Sequence, residues 1–220
     1  MSPLELTKYG HACVRIEHHD TTLVIDPGLF TEPEAVAGAD ALLITHEHFD
    51  HFTEEQVRAA LAANPGLRIW TNGAVAEQLT GLGAAVTVVG DGDAFDVGGI
   101  DVSVHGEWHA EIHRDAPAVK NIGFRLAGGR LFHPGDALTV PEHPVDTLLL
   151  PLAGPWNKIG ELVDYVREVR PARVLGIHDA VLSEIGRQIG ARWLGEEHGP
   201  GTGAPYAFLQ PGESVLLDAV

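Results

Sequence analysis

A single cysteine, Cys13, stands in a chain of 220 residues, which excludes a disulfide framework and any cysteine-rich zinc module. Lysine is nearly as scarce, with only Lys8, Lys120 and Lys158. Fourteen basic residues against 31 acidic ones leave a net charge of −17. The chain therefore lacks the basic footprint that a phosphate backbone or an anionic membrane calls for, and a nucleic-acid partner is disfavoured. No apolar run approaches the roughly 18 residues of a membrane span. The opening Met1-Ser2-Pro3-Leu4-Glu5 has no basic n-region and no long apolar stretch, so the expected setting is the cytoplasm. Linkers, repeats and low-complexity segments are missing too, and the 26 glycines and 14 prolines are scattered without period. What remains is the profile of an ordinary globular protein, 45% hydrophobic and 20% charged, read as one unit over residues 1–220. The anomaly is histidine, 13 in number and dispersed.

Residues 4–8, 12–17 and 22–26 read as a meander of strands, the second and third separated by Asp20-Thr21. The run Ala41-Leu42-Leu43-Ile44 reads as a strand buried on both faces. A helix is expected over 53–63, where Thr53 and Gln56 have capping-box spacing and Pro65-Gly66 stops it. Short strands are expected at 68–71 and 85–89, with a helical turn or two at 74–79 between them. The pattern is again β over 95–97, 100–104, 121–126 and 130–132, with Gly128-Gly129 as a hairpin turn. Residue 147 opens an apolar strand to 150. Ile159, Leu162, Val163, Val166 and Val169 then mark one face of a helix over 159–169. A strand at 173–177, a helix at 180–189 and a β or irregular tail at 206–217 complete the chain. Strands, alternation, strands, alternation: this order points to two sheets with helices packed outside them.

The sharpest feature is Thr45-His46-Glu47-His48-Phe49-Asp50-His51, between the buried strand and the capped helix. In extended backbone His46 and His48 project to one side, Asp50 continues that parity, and His51 comes from the turn into the helix. Imidazole and carboxylate are ligands of zinc, iron and manganese. Four of them this close point to more than one ion, because one tetrahedral ion rarely takes all its ligands from one turn. No phosphate-binding glycine loop, dinucleotide fingerprint or Gly-x-Ser-x-Gly elbow appears. Cys13, in an apolar stretch, reads as a small buried hydrophobe.

The H-x-H-x-D-H pattern after a buried strand resembles the signature of the metallo-β-lactamase-fold hydrolase superfamily. The resemblance extends over about residues 4–180. Leu23-Val24-Ile25-Asp26-Pro27-Gly28 is similar to the early strand whose Asp buttresses the metal turn. Phe132-His133-Pro134-Gly135-Asp136 resembles the later Gly-Asp, and Gly176-Ile177-His178-Asp179 the last metal histidine at a strand end. The opening Lys8-Tyr9-Gly10-His11-Ala12-Cys13 and the compact length resemble the ascorbate-6-phosphate lactonase-like branch. The resemblance implies an α/β fold, an αββα four-layer sandwich of two mixed sheets flanked by helices. It implies two divalent metal ions, zinc first, with manganese or iron as alternatives. His46 and His48 would bind the first ion, with a third histidine from His105, His109 or His113, of which His109 fits best. Asp50, His51 and His178 would bind the second, and Asp136 would bridge both. Asp26 and His133, with Thr45, are candidates to orient those ligands. His11 lies near the site in relatives, but a structural histidine is an equal reading. His18 and His19 at a hairpin turn, and His143 and His198 in Pro/Gly-rich loops, read as surface residues.

Such a site would hold a water bridging two ions, its pKa lowered towards about 7, for attack on a carbonyl or phosphorus centre. Asp50 would also orient that water, and His113 would assist the leaving group. The expected activity is hydrolysis of a small ester, lactone or phosphodiester. The alternatives are a nucleic-acid phosphodiesterase of the same superfamily and an iron-dependent redox or non-catalytic metal-binding protein. Substrate-lining residues are expected from 30–37, 110–119, 153–158 and 194–206, with Trp108, Trp156 and Tyr206 as apolar walls. Arg114, Lys120 and Lys158 are either anion holders or ordinary surface charges. A homo-oligomer is compatible with the sequence, though no interface motif supports one.

Overall fold

The computed structural model describes residues 3–195 and 201–217. Its strands are β1 (Leu4–Lys8), β2 (Val14–His18), β3 (Thr21–Ile25), β4 (Ala41–Ile44), β5 (Arg68–Thr71), β6 (Val86–Val88) and β7 (Ala94–Val97), then β8 (Ile100–His105), β9 (Gly123–Leu126), β10 (Leu131–His133), β11 (Thr147–Pro151), β12 (Arg173–Ile177), β13 (Tyr206–Phe208) and β14 (Ser214–Leu217). Its helices are α1 (Glu54–Ala63), α2 (Gly73–Gln78), α3 (Ile159–Val169) and α4 (Glu184–Leu194). The strands form two seven-stranded sheets, ordered β14-β1-β2-β3-β4-β5-β6 and β13-β12-β11-β10-β9-β8-β7. Each is mixed: antiparallel from β14 to β3 and from β7 to β10, parallel from β3 to β6 and from β10 to β13.

Period-two alternation explains why the sheets stack. Leu4, Leu6, Ile16, Leu23, Ile25 and Leu43 of the first sheet meet Val102, Val104, Phe124, Leu126, Leu149 and Leu175 of the second in one central core. Outward residues of the same strands, Val24, Leu42, Ile44 and Ile69, pack on Val57 and Ala60 of α1 and Val75 of α2. On the far side Phe132, Leu148, Leu150 and Val174 pack on Leu162, Val163 and Val166 of α3 and Leu194 of α4. β4 and β11 are buried at every position because both of their faces are covered. The result is the expected four-layer αββα sandwich.

Several element boundaries differ from the sequence pattern: β9 starts at Gly123 rather than 121, the last helix runs on to Leu194 rather than 189, and two further differences have a visible cause. Ala12 and Cys13 belong to a tight turn, closed by Tyr9 N–H to Cys13 O and Cys13 N–H to Gly10 O, so β2 starts at Val14. The last helix starts at Glu184 rather than near 180, because Ser183 is its N-cap and accepts from Gly186 N–H at 3.1 Å. Residues 179–182 form a separate turn, Leu182 N–H to Asp179 O. Thr53 caps α1 as the sequence predicts, accepting from Gln56 N–H. Cys13 is a buried free thiol. Among the described residues no helix is long and apolar enough to cross a membrane.

The ends of β1, β3, β4, β8, β10, β11 and β12 all emerge at one edge of the sandwich, since these strands run in a common direction within each sheet. That edge, outside the carboxyl ends of the parallel strands, is where α/β sheets place ligands. A buried ion pair ties the two sheets there: Lys8 Nζ, at the end of β1, meets Asp179 Oδ1, just past β12, at 2.9 Å.

Candidate metal centre

The Thr45–His51 turn leaves the end of β4 and is buttressed from the next strand. Asp26 is fully buried and accepts three hydrogen bonds, from Thr45 N–H (2.8 Å), Thr45 Oγ1–H (2.7 Å) and His51 Nδ1–H (2.7 Å). Because the Thr45 hydroxyl proton goes to Asp26, its oxygen accepts from His46 Nδ1–H at 2.9 Å. Gly28 lets the following loop lie against the turn: a Cβ there would stand 2.0 Å from Asp50 O. The chain curls at His48, whose carbonyl accepts from both His51 N–H and Phe52 N–H. This curl ends the extended parity that the sequence pattern suggested for Asp50, which turns away from His46 and His48.

The second sheet brings its groups singly. His109 follows β8, and its Nδ1–H donates to Ala110 O at 2.6 Å. His178 follows β12, its Nδ1–H bound to Ala153 O. Asp136 follows β10 on a loop held by buried Asn121, whose Oδ1 accepts from Asp136 N–H (2.9 Å) and whose Nδ2–H donates to Pro134 O (2.9 Å). Gly135, at φ +65°, packs so closely that a Cβ would stand 2.2 Å from Asn121 Oδ1. Trp156 is buried, and its Nε1–H donates to Asp136 Oδ2 at 3.1 Å.

Two clusters result, each with its potential ligand atoms within 4.8 Å of one another: His46, His48, His109 and Asp136, and His11, Asp50, His51 and His178. Asp136 touches both. Its Oδ2 is 3.4 Å from His109 Nε2 and 3.0 Å from His178 Nε2, and its Oδ1 is 3.1 Å from His51 Nε2. In His46, His51, His109 and His178 the outer Nδ1–H is occupied, so each ring turns Nε2 inward. His48 presents Nδ1, 3.1 Å from His46 Nε2. His51 Nε2, His109 Nε2, His178 Nε2 and Asp136 Oδ1 are buried without a hydrogen-bond partner. Orphaned polar atoms converging on one point fit a bound cation.

The electrostatics agree. Burial disfavours a charged His51, yet Asp136 and Asp26 on its two nitrogens hold its pKa well above the imidazole range. Burial opposes a charged His178, but the nearby carboxylates of Asp136 and Asp50 outweigh it and raise its pKa to about 9. Burial works to raise both carboxyls. The charge on His51 and the imidazoles of His109 and His178 close by nevertheless hold Asp136 well below the carboxylate range, and His11 and His178 lower Asp50. Burial depresses His46 and His48. The two carboxylates thus require positive charge at the inner faces of His51 and His178, which protons or metal ions can supply.

His11 was only half legible in the sequence. Its ring lies in the second cluster, Nε2 3.1 Å from Asp50 Oδ2. Its Nδ1 accepts from Ala180 N–H at 3.1 Å, so the ring proton is on Nε2 and points at Asp50. His11 therefore acts as a donor to Asp50 rather than as a third imidazole ligand of that cluster. The 179–182 turn exists to make this contact, and His178 N–H also donates to His11 O at 3.0 Å. Among the described residues six non-glycines have positive φ, and His11, Asp26 and His178 are three of them.

Other expected residues fall as follows. His133 lies behind the turn, Nε2–H donating to Ala12 O (2.9 Å) and Nδ1 accepting from Gly135 N–H (3.1 Å). His105 bonds Ser103 and joins neither cluster. His113 also stays outside: its side chain is 63% exposed on the 106–120 loop, near Asp115. His19 and His143 are exposed, and His18 is half-buried at its hairpin turn. His198, with residues 196–200, lies outside the described residues. Leu194 belongs to the outer core rather than to a substrate wall. Lys158 pairs with Glu161 and Lys120 with Glu107. Trp156, expected as an apolar wall, is buried and donates to Asp136, while Asn121 and the Lys8–Asp179 pair carried no local signal.

Residues 5–178 match the beta-lactamase superfamily domain. Protein Rv0786c of Mycobacterium tuberculosis is 39% identical over 191 residues, 84% of this chain and 89% of that protein. A UPF0173 metal-dependent hydrolase of Thermus thermophilus is 27% identical over 98% of this chain and 100% of its own length. Among solved structures Igni18, a metallo hydrolase from the archaeon Ignicoccus hospitalis, superposes with a TM-score of 0.74 at 16% identity, covering 99% of this chain and 100% of that one. The sandwich, the buttressed turn and these matches agree: the chain belongs to the beta-lactamase superfamily and has the metallo-β-lactamase fold.

Proposed function

We propose that this chain is a metal-dependent hydrolase holding two divalent ions, zinc foremost with manganese or iron as alternatives, and that it cleaves a small ester, lactone or phosphodiester. The supporting observation is the set of inward nitrogens on His46, His51, His109 and His178, each locked by a partner on its far side, around a buried carboxylate with an unpartnered oxygen. In this reading His46, His48 and His109 hold one ion, Asp50, His51 and His178 the other, and Asp136 both. Divalent ions held there would supply Lewis acidity and lower the pKa of water towards about 7.

The protein's own part is orientation. Asp26 fixes the turn and the His51 tautomer. Trp156 occupies one lone pair of Asp136 Oδ2 and thereby sets the rotation of that carboxylate. His11 does the same for Asp50. The test is metal content of the purified, untagged protein by inductively coupled plasma mass spectrometry, with a panel of esters, lactones and phosphodiesters. Two equivalents of metal are expected, falling below one in Asp136→Ala with loss of turnover. Iron as the native metal would move the chemistry towards oxidation. No metal after reconstitution with each candidate ion overturns the proposal.

A further inference from the structure

One rim of the site is apolar, and the nearby lysines are already engaged. Phe49 lies between His48 and Asp50 and is 60% exposed, and Leu29 and Phe30 beside it are 58% and 43% exposed. These three form a built wall rather than loose side chains. Leu29 N–H donates to Phe49 O at 2.8 Å, and Phe30 packs edge-on against both Phe49 (5.9 Å between ring centroids) and His11 (5.4 Å). Gly28 pins the loop to the Asp50 backbone. Across the site, the 106–120 loop carries His109 and lines a cavity of ≈ 290 Å³ together with Trp108 and Ile112, both exposed.

An anionic substrate group would need a cation to meet it. Lys120 is paired with Glu107 and lies over the Trp108 ring at 3.5 Å. Lys8 is buried against Asp179, and Arg187 is bound to Glu184 and Asp179. Arg114, on the 106–120 loop away from Leu29, Phe30 and Phe49 in sequence, is 83% exposed and meets Asp115 only at 3.9 Å. Resting on the hydrolase reading above, we infer that the non-reacting part of the substrate is uncharged and apolar, an alkyl or aryl group seated on Leu29, Phe30 and Phe49. A contiguous exposed apolar patch marks a binding surface, and here it is continuous with the groups that would carry out the chemistry. A phosphorylated or carboxylated tail seated on that wall would find no cation among Leu29, Phe30 and Phe49, in a chain of net charge −17.

Hydroxamates test this without knowing the substrate, because the head binds the metal and the tail reads the wall. Acetohydroxamate, 4-phenylbutanohydroxamate and the monohydroxamate of succinate are titrated calorimetrically into metal-loaded wild type, Phe49→Ser and Phe30→Ser. The read-out is each affinity relative to acetohydroxamate, so a general loss of metal or fold cancels. The phenyl tail is expected to bind about tenfold or more tighter than the carboxylate tail, and each serine variant to remove most of that margin. Equal or tighter binding of the carboxylate tail, or a margin untouched in both variants, overturns the inference and leaves the hydrolase proposal standing. Failure of acetohydroxamate itself to bind a metal-loaded chain overturns the hydrolase proposal, and this inference with it.

Discussion

The first sheet delivers His46, His48, Asp50 and His51 from one six-residue turn, whereas the second delivers His109, Asp136 and His178 singly, from the ends of three strands. The two arrangements are held differently. The turn hangs collectively on Asp26, one carboxylate serving Thr45 and His51 directly and His46 through Thr45. Each group from the second sheet has its own anchor: Ala110 O for His109, Ala153 O for His178, Asn121 for the Asp136 loop. A clustered ligand set shares one support and fails as a unit. A dispersed set depends on strand register and fails piece by piece.

The strongest way to break this contrast is Asp26→Ala. It strands three buried donors at once, so we expect a loss of about 3–5 kcal/mol in stability, read by urea unfolding of the metal-free protein, and loss of both ions together. Loss of one ion only would refute the collective support. Lys8→Met comes next, since it leaves the buried Asp179 only its longer contact with Arg187, at 3.9 Å, where the two sheets meet. About 3 kcal/mol is expected, largely recovered in Lys8→Met/Asp179→Leu. Smaller again is the effect at His11. His11→Ala should weaken metal binding at the Asp50 side about tenfold, while His11→Gln keeps a donor to Asp50 and an acceptor for Ala180 N–H and stays near wild type. If His11 were a ligand, both variants would lose the ion equally, as measured by competitive chelator titration.

The smallest effect concerns pH. Burial holds His133 below the ordinary value of 6.5. The unfolded chain therefore takes up this proton first as pH falls. The stability due to neutral His133 is fully present above about 6.5 and is lost as pH drops through the lower folded value. His133→Gln retains a donor and an acceptor but cannot titrate. Its unfolding free energy should therefore fall less steeply than that of wild type between pH 6.5 and 5, by at most about 1.4 kcal/mol per pH unit.

Much of this was readable along the chain, for a local reason. Alternation marked the strands, because a strand between two layers must bury one or both faces, as Leu42, Leu43 and Ile44 do. The His46–His51 cluster was conspicuous because its members are neighbours in sequence. Where the pattern misled, a tertiary contact had displaced a local preference. The 179–182 stretch is helix-compatible, yet Ala180 N–H is drawn to His11, 169 positions away. The side of Asp50 was set by the curl at His48 and by His11, 39 positions away.

Residue types, short spacings and the resemblance they carry therefore sufficed for the layer architecture, the candidate metal turn, the preference for His109 and the family. The donor role of His11, the clamp of Asn121 and Trp156 on Asp136, and the buried Lys8–Asp179 tie emerged only on folding. Each of these depends on a partner from another loop or from the other sheet. A histidine or an asparagine looks the same in sequence whether it faces solvent, a ligand or a carboxylate, and only packing the two sheets face to face, with their strand-end loops converging at one edge, selects among them.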